Sequence, residues 1–341
     1  MLAPVYGLAE STPIKLGGIL ILTGQSAEYG VQAQRGAQLA LDEINGAGGV
    51  IGRQLTVIWE DETSGKAERA VAAYRKLVHV DGVKFILGPS FQDGLLAIAP
   101  LAKTDGVAII TPSTPSLGLP QVFATWIDPE IEAAFIATYI RKSFKRVSVL
   151  AAQQSWEIMV AESFKKNFVE LGGEIVSYAA PLNTNTDVRT EVLQVRRAKP
   201  EAVFISSYTL LANYIVGLRK QGVTVPLFTI EADNAALRTA GKSSDGLVSV
   251  GPSVPESSFA RKYKARYGVA PDSPSFQAYD AVQLLARAMK AKGEKPIDVL
   301  HYLSSFDSFS GASGTIRSVE GKKFTSMAPF VASNGEFKRL E

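Results

Sequence analysis

Ile14-Lys15-Leu16-Gly17-Gly18-Ile19-Leu20-Ile21-Leu22-Thr23, then Gly24–Tyr29, then Gly30–Asn45, is the stretch that sets the fold class. A nearly continuous apolar run of this length suits a strand, Ile14–Thr23, buried on both faces of a parallel sheet. Gly24–Tyr29 reads as a loop. Gly30–Asn45 reads as a helix with Val31, Ala37, Leu39, Ala40, Leu41 and Ile44 on its apolar positions, closed by the glycines of Gly46–Gly49. The alternation continues with strands at Leu55–Trp59, Val83–Leu87 and Val107–Thr111 and helices at Lys66–Val78 and Gly94–Lys103. The order β-α-β-α-β-α-β predicts a doubly wound parallel sheet.

The pattern then starts again. Strands are expected at Arg146–Ala152, Glu174–Ala180, Ala202–Ser206 and Pro226–Ile230, separated by helices at Ile158–Leu171, Asp187–Arg197 and Leu210–Gln221. Two such units in tandem predict two α/β lobes, for which 341 residues are sufficient. From Gly246 the pattern changes. A strand at Leu247–Val250, helices near Glu256–Tyr267, Ser275–Lys292 and Pro296–Ser304, and strands near Gly314–Ile316 and Met327–Ala332 read as pieces that return to complete both lobes, or as a small further domain.

Composition narrows the function. Lys plus Arg is 36 and Asp plus Glu is 33, a net charge of +3 that is too small and too dispersed for a nucleic-acid partner. The absence of cysteine excludes disulfides, thiolate metal sites and cysteine nucleophiles. No apolar run reaches the roughly 18 residues that span a bilayer. Residues 1–10 read as the remnant of a leader, or equally as an expression leader. His79 and His301 fall in predicted helices as surface or packing residues, and two histidines alone make no metal site. The chain lacks a G-x-S-x-G nucleophile elbow and a phosphate-binding G-x-x-x-x-G-K-[ST]. Gly24–Gly30 also lacks the G-x-G-x-x-G that brings backbone to a pyrophosphate. No cofactor or metal is expected, and a binding role is favoured over an enzymatic one.

Several segments carry a resemblance. They are Ile14–Ile19 with Leu22-Thr23-Gly24 and Tyr29-Gly30, Gly36–Ala40 with Glu43-Ile44-Asn45, and Gly48–Gly52. Further along are Asp61-Glu62 with Ala70–Leu77, Gly88-Pro89, Ile110–Ser113, Tyr263–Gly268 and Tyr279-Asp280-Ala281. In order and spacing they resemble the branched-chain amino-acid-binding branch of the type I periplasmic binding proteins, the solute receptors of ABC importers. The resemblance implies an α/β fold of two doubly wound parallel-sheet lobes joined by three crossover strands. One lobe would combine residues 11–124 with 253–327 and the other 125–252 with 328–341. It implies a monomer outside the cytoplasm, without a lipid anchor, that closes on an amino acid or similar small hydrophobic carboxylate and is recognised by a membrane permease. An aromatic-acid receptor and a ligand-sensing regulatory module on the same fold are the alternatives.

Candidate site residues follow. Ser90-Phe91-Gln92-Asp93 enters a helix N-terminus, where free amides and the helix dipole suit a carboxylate, and Ser90 or Asp93 is expected to cap that helix. The resemblance gives Ser113 and Thr114 hydrogen bonds to the solute's carboxylate and amine. Pro115 departs from the family, which often has Ser or Thr near it, and offers neither N–H nor hydroxyl. Tyr29 and Trp156 resemble cleft-lining aromatics, and Tyr208 follows a strand of the second unit, so an apolar or aromatic solute body is expected. Glu231 resembles the acid that pairs with a ligand ammonium; the alternative is a local cap or salt bridge with Asp233. Trp126 and Asp128 sit at the first crossover, where Phe123-Ala124-Thr125 replaces the family's usual F-R-T, and Trp126 either reaches the cleft or covers the hinge.

Overall fold

The computed structural model describes residues 12–24, 26–63, 65–230, 232, 234–252, 258–319 and 321–340. Glu231 and Asp233 are therefore outside the described residues, as is the N-terminal segment. The first half runs β1 (Ile14–Leu20), α1 (Ala27–Gly46), β2 (Leu55–Asp61), α2 (Ala67–Arg75), β3 (Phe85–Leu87), α3 (Gln92–Asp105), β4 (Ala108–Thr111) and β5 (Val122–Ala124). Its strands form an all-parallel sheet in the order β2-β1-β3-β4-β5. The second half runs α4 (Pro129–Arg141), β6 (Arg146–Ala151), α5 (Ser155–Glu170), β7 (Glu174–Ala179), α6 (Arg189–Ala198), β8 (Ala202–Ser206), α7 (Leu211–Lys220), β9 (Leu227–Ile230), α8 (Asn234–Ala240) and β10 (Val248–Pro252).

After β10 come α9 (Ser258–Tyr267), α10 (Ser273–Lys292), α11 (Pro296–Ser304), β11 (Phe306–Gly311), β12 (Gly314–Val319), β13 (Lys322–Thr325), β14 (Met327–Ser333) and β15 (Glu336–Arg339). The second sheet has the order β15-β14-β10-β9-β8-β6-β7, parallel from β7 to β10 and closed by two antiparallel edge strands. Strands β11–β13 form a small antiparallel sheet. The chain passes between the lobes three times: from β5 to α4, from β10 to α9, and from β13 to β14.

Each large sheet is covered on both faces, which is why its strands carry continuous apolar runs. The first sheet has α1, α10 and α11 on one face and α2 and α3 on the other. The second has α4 and α5 on one face and α6, α7 and α8 on the other. Helices α1 and α10 approach closely because residue 36 is glycine: a Cβ there would overlap the Ser275 carbonyl.

The differences from the sequence reading have local causes. The apolar run from Ile14 leaves the sheet after Leu20 because its next amides find side-chain acceptors. Ile21 N–H donates to Ser90 Oγ at 2.9 Å and Leu22 N–H to Asp61 Oδ1 at 2.8 Å. The second helix ends in a π-helical turn over Lys76–Val80. Helix α4 was not expected although its start is marked: Pro129 opens it and Asp128 accepts from Glu130 N at 3.0 Å. Strands β5, β11, β13 and β15 and helix α8 were not expected; β11, β13 and β15 are ordered by antiparallel pairing with the strands next to them in the chain.

A buried polar cluster ties the first and third crossings to α10. Asp280 is 0 % exposed and accepts from Ala312 N at 2.6 Å, from Ser313 N at 2.9 Å and from the Ser313 hydroxyl. Lys323, 2 % exposed, donates to the Thr125 carbonyl and to Ser313 Oγ at 3.0 Å. Thr125 Oγ1 in turn donates to the Gln277 carbonyl at 2.8 Å. Burial pushes the Asp280 carboxyl up, and the Lys323 charge together with the Ser313 and Ala312 bonds oppose that push. Removing one charge of such a pair strands the other. Lys323→Met is expected to cost roughly 3–5 kcal/mol of unfolding free energy in urea, and adding Asp280→Leu to it should recover part of the loss. Equal stability of Lys323→Met and wild type would refute this role.

Candidate functional site

In an open α/β sheet, the loops at the carboxyl ends of the strands diverge where the strand order reverses, leaving a crevice. Here the reversals lie between β1 and β3 in one lobe and between β6 and β8 in the other. The two crevices face each other across one cavity of about 440 Å³ of non-atom space, mouth included.

The first lobe contributes Tyr29 from the first turn of α1, Ser90, Phe91 and Gln92 from the β3–α3 loop, and Ser113 and Thr114 after β4. The second contributes Gln154, Trp156 and Glu157 at the start of α5, and Tyr208 and Thr209 after β8. Aromatic rings meet across the gap. The Tyr29 and Tyr208 centroids are 5.2 Å apart, edge to face, and Phe91 and Tyr208 are 6.5 Å apart. Tyr29 Oη donates to the Ser113 carbonyl at 3.3 Å, joining two of the loops.

The polar atoms of the cavity are the informative ones. Gln92 Oε1, Ser113 Oγ, Thr114 Oγ1, Trp156 Nε1 and Glu157 Oε2 are buried and have no hydrogen-bond partner in the protein. Buried polar groups are nearly always paired, and leaving one unpaired costs about 1–3 kcal/mol. Five converging on one cavity describe a site built for a polar solute. Amides add to them: the first bond of α3 runs from Leu95 N to the Phe91 carbonyl. The N–H groups of Gln92, Asp93 and Gly94 thus have no partner within the helix. No Lys, Arg or His is among the described lining residues.

Of the residues expected from the sequence, Tyr29, Phe91, Gln92, Ser113, Thr114, Trp156 and Tyr208 line this cavity. Asp93 does not. Its carboxylate accepts a hydrogen bond from Ser155 Oγ across the cleft, so it links α3 to α5. The expected capping of α3 is also corrected. Phe91 is the N-cap and makes no side-chain bond, while Ser90 Oγ is taken by Ile21 N. Trp126 is 2 % exposed and stands behind Tyr29 at 6.3 Å between centroids, outside the lining. His79 and His301 are surface residues, and no metal-binding cluster exists among the described residues.

Glu157 is the site residue the sequence reading missed. It is 1 % exposed, and its Oε1 accepts from Tyr208 N at 3.1 Å, Thr209 N at 3.0 Å and Thr209 Oγ1 at 2.9 Å. Burial pushes its carboxyl up, opposed by hydrogen bonds from Thr209, Ser207 and Tyr208. Its only sequence signal was an acid in the first turn of a helix, which ordinarily means a favourable dipole contact at the surface.

Beneath the α3 loop lies a second buried acid. Glu62 accepts from Ser90 N at 2.7 Å and is pushed up to about 7 by burial.

The family of periplasmic binding proteins has a model that matches residues 13–335. The chain belongs to this family. It is 27% identical over 301 residues to a Leu/Ile/Val-binding protein of Rhizobium johnstonii, covering 82% of this chain and 80% of that one. Its fold matches a leucine-binding protein of Thermotoga maritima with a TM-score of 0.90 at 23% identity, covering 96% and 98% of the two chains. It also matches an R. palustris ABC-transporter solute-binding protein crystallised with 4-hydroxybenzoate, with a TM-score of 0.88 at 18% identity and coverage of 97% and 96%. The fold is what these two solved structures share with this chain.

Glu62 makes stability depend on pH. In the folded protein it keeps its proton to about pH 7, against an ordinary value of 4.5. As pH rises the unfolded chain ionises first. The stabilisation is therefore complete below about pH 4.5 and is lost as pH climbs through about 7. The loss is on the order of 3 kcal/mol. Urea unfolding from pH 5 to 8 should show wild type losing stability relative to Glu62→Gln. Parallel pH profiles for the two would overturn the assignment.

Proposed function

We propose that this protein is the solute-binding receptor of an ABC importer and that it closes its two lobes on a small carboxylate with an apolar body. The observation that carries the reading is the set of unpaired buried polar atoms facing one interlobe cavity in a member of the periplasmic binding protein family. The carboxylate is assigned to the first lobe. There the Ser113 and Thr114 hydroxyls are donors that no protein acceptor takes, and the start of α3 adds the positive end of its dipole. The apolar body lies among Tyr29, Phe91, Trp156 and Tyr208.

Closure follows from differential contact. A solute held by both walls stabilises the closed arrangement in proportion to the contacts it makes only there. The Asp93–Ser155 hydrogen bond and the Tyr29–Tyr208 contact add protein–protein terms to the same state. The protein works outside the cytoplasm as a monomer, performs no chemistry on its solute, and presents the closed form to a membrane permease. No helix among the described residues is long and apolar enough to cross a membrane.

The solute is an amino acid on the leading reading, supported by the relatives named for leucine, isoleucine and valine. An aromatic acid is the second reading. The four aromatic walls and the fold neighbour with 4-hydroxybenzoate favour it. Glu231, immediately after β9, is assigned to a ligand ammonium, so Glu231→Gln is expected to abolish amino-acid binding and leave a simple aromatic acid nearly unaffected.

Calorimetry against amino acids and aromatic carboxylates tests the reading. A true solute at about 100 times its Kd should raise stability by about 2.7 kcal/mol in thermal unfolding. Ser113→Ala combined with Thr114→Val should weaken its binding by about 100-fold or more, since each hydroxyl bonds a charged group and each such bond is worth at least about tenfold. If no such compound stabilises the protein, the reading fails.

A further inference from the structure

Both walls of the cavity carry unpaired polar atoms, Gln92 Oε1 with the Ser113 and Thr114 hydroxyls on the first lobe and Trp156 Nε1 with Glu157 Oε2 on the second. On the first lobe, Ser113 and Thr114 offer unpaired hydroxyls and the start of α3 offers amides. On the second, Glu157 is the single carboxylate among the described lining residues. Its two oxygens differ. Oε1 takes the Tyr208 and Thr209 donors, and Oε2, on a residue that lines the cavity, is buried without a hydrogen-bond partner in the protein. The side chain has little freedom to turn away, because three donors hold Oε1.

An unpaired carboxylate oxygen shielded from water is costly, so the geometry asks for a donor on the solute. It also repels a solute carboxylate, which orients the molecule with its acid toward Ser113 and Thr114. A purely structural role, holding the Tyr208–Thr209 loop, accounts for Oε1 and leaves Oε2 unexplained.

We propose that Glu157 is a specificity residue whose free Oε2 accepts a hydrogen bond from an ammonium or hydroxyl group on the bound solute. The proposal rests on the carboxylate-receptor reading above. It assigns to the second-lobe wall a discrimination that Trp156 and Tyr208, as aromatic walls, do not provide. The shared chemistry is a hydrogen-bond donor at the end of an apolar acid. An amino acid supplies it as an amine and a phenolic acid as a hydroxyl.

Two matched pairs read it out by calorimetry: leucine against 4-methylpentanoate, and 4-hydroxybenzoate against benzoate. In at least one pair, wild type should bind the donor-bearing member about 10- to 100-fold more tightly, the range for a bond to a charged group. Glu157→Gln keeps an acceptor for the Tyr208 and Thr209 amides but puts an amide where Oε2 stood. It should bring that ratio to within about threefold, chiefly by weakening the donor-bearing member.

An unchanged ratio in Glu157→Gln overturns the proposal, as does a ratio that collapses in Glu231→Gln and not in Glu157→Gln. If Glu157→Gln does not fold, a crystal structure of wild type with its tightest compound decides. A donor atom within about 3.2 Å of Oε2 supports the proposal, and any other group or none there overturns it. If none of the four compounds binds, the carboxylate-receptor reading fails first and takes this proposal with it.

Discussion

The buried charge pair of Asp280 and Lys323 is the constraint on which the two-lobed arrangement depends. Asp280 lies on α10, which packs along α1; Lys323 lies on β13, just before the last crossing; and the carbonyl that Lys323 engages belongs to Thr125, at the first crossing. A charge cannot be left unpaired in that interior. The segments that carry the two crossings must therefore stay registered with the first lobe. A short fixed hinge of this kind allows the lobes to approach or separate without losing their own packing.

The site obeys the same rule with the opposite outcome. At the hinge both oxygens of Asp280 and the ammonium of Lys323 find protein partners. In the cleft, Gln92, Ser113, Thr114, Trp156 and Glu157 each present an atom that does not. Single unpaired atoms also occur elsewhere among the described residues, at Gln121 and Glu191 for example, but five belong to residues that line one cavity. The loops themselves are held from behind: Ser90 by Ile21 and Glu62, and the Tyr208–Thr209 loop by Glu157. Rigid loops carrying unpaired groups lose little entropy when the solute arrives.

Much of the fold was legible in the chain. The long buried strands of both sheets declared themselves as apolar runs between amphipathic helices, with ends displaced by a few residues. The errors fell where side chains far apart in sequence decide. Ile21–Thr23 looked like more strand, and only the approach of Ser90 and Asp61 turns those amides out of the sheet. Strands β11, β13 and β15 carry too few apolar positions to be seen without their partners.

Seven of the nine residues singled out beforehand line the cavity, because strand ends could be read and aromatics there stand out. Asp93 was misread because a carboxylate at a helix start has two outlets, and which it takes depends on Ser155, sixty-two positions away in sequence. Glu157 was passed over because an acid in a first helical turn is ordinary until its burial is known. The sequence by itself determined the strand–helix order, the two lobes, the family and the aromatic character of the cleft, since these follow from local periodicity and residue type. Only the tertiary structure decided which polar atoms are paired, because pairing depends on distances between segments brought together by folding. It is those unpaired atoms that define where a solute would be held.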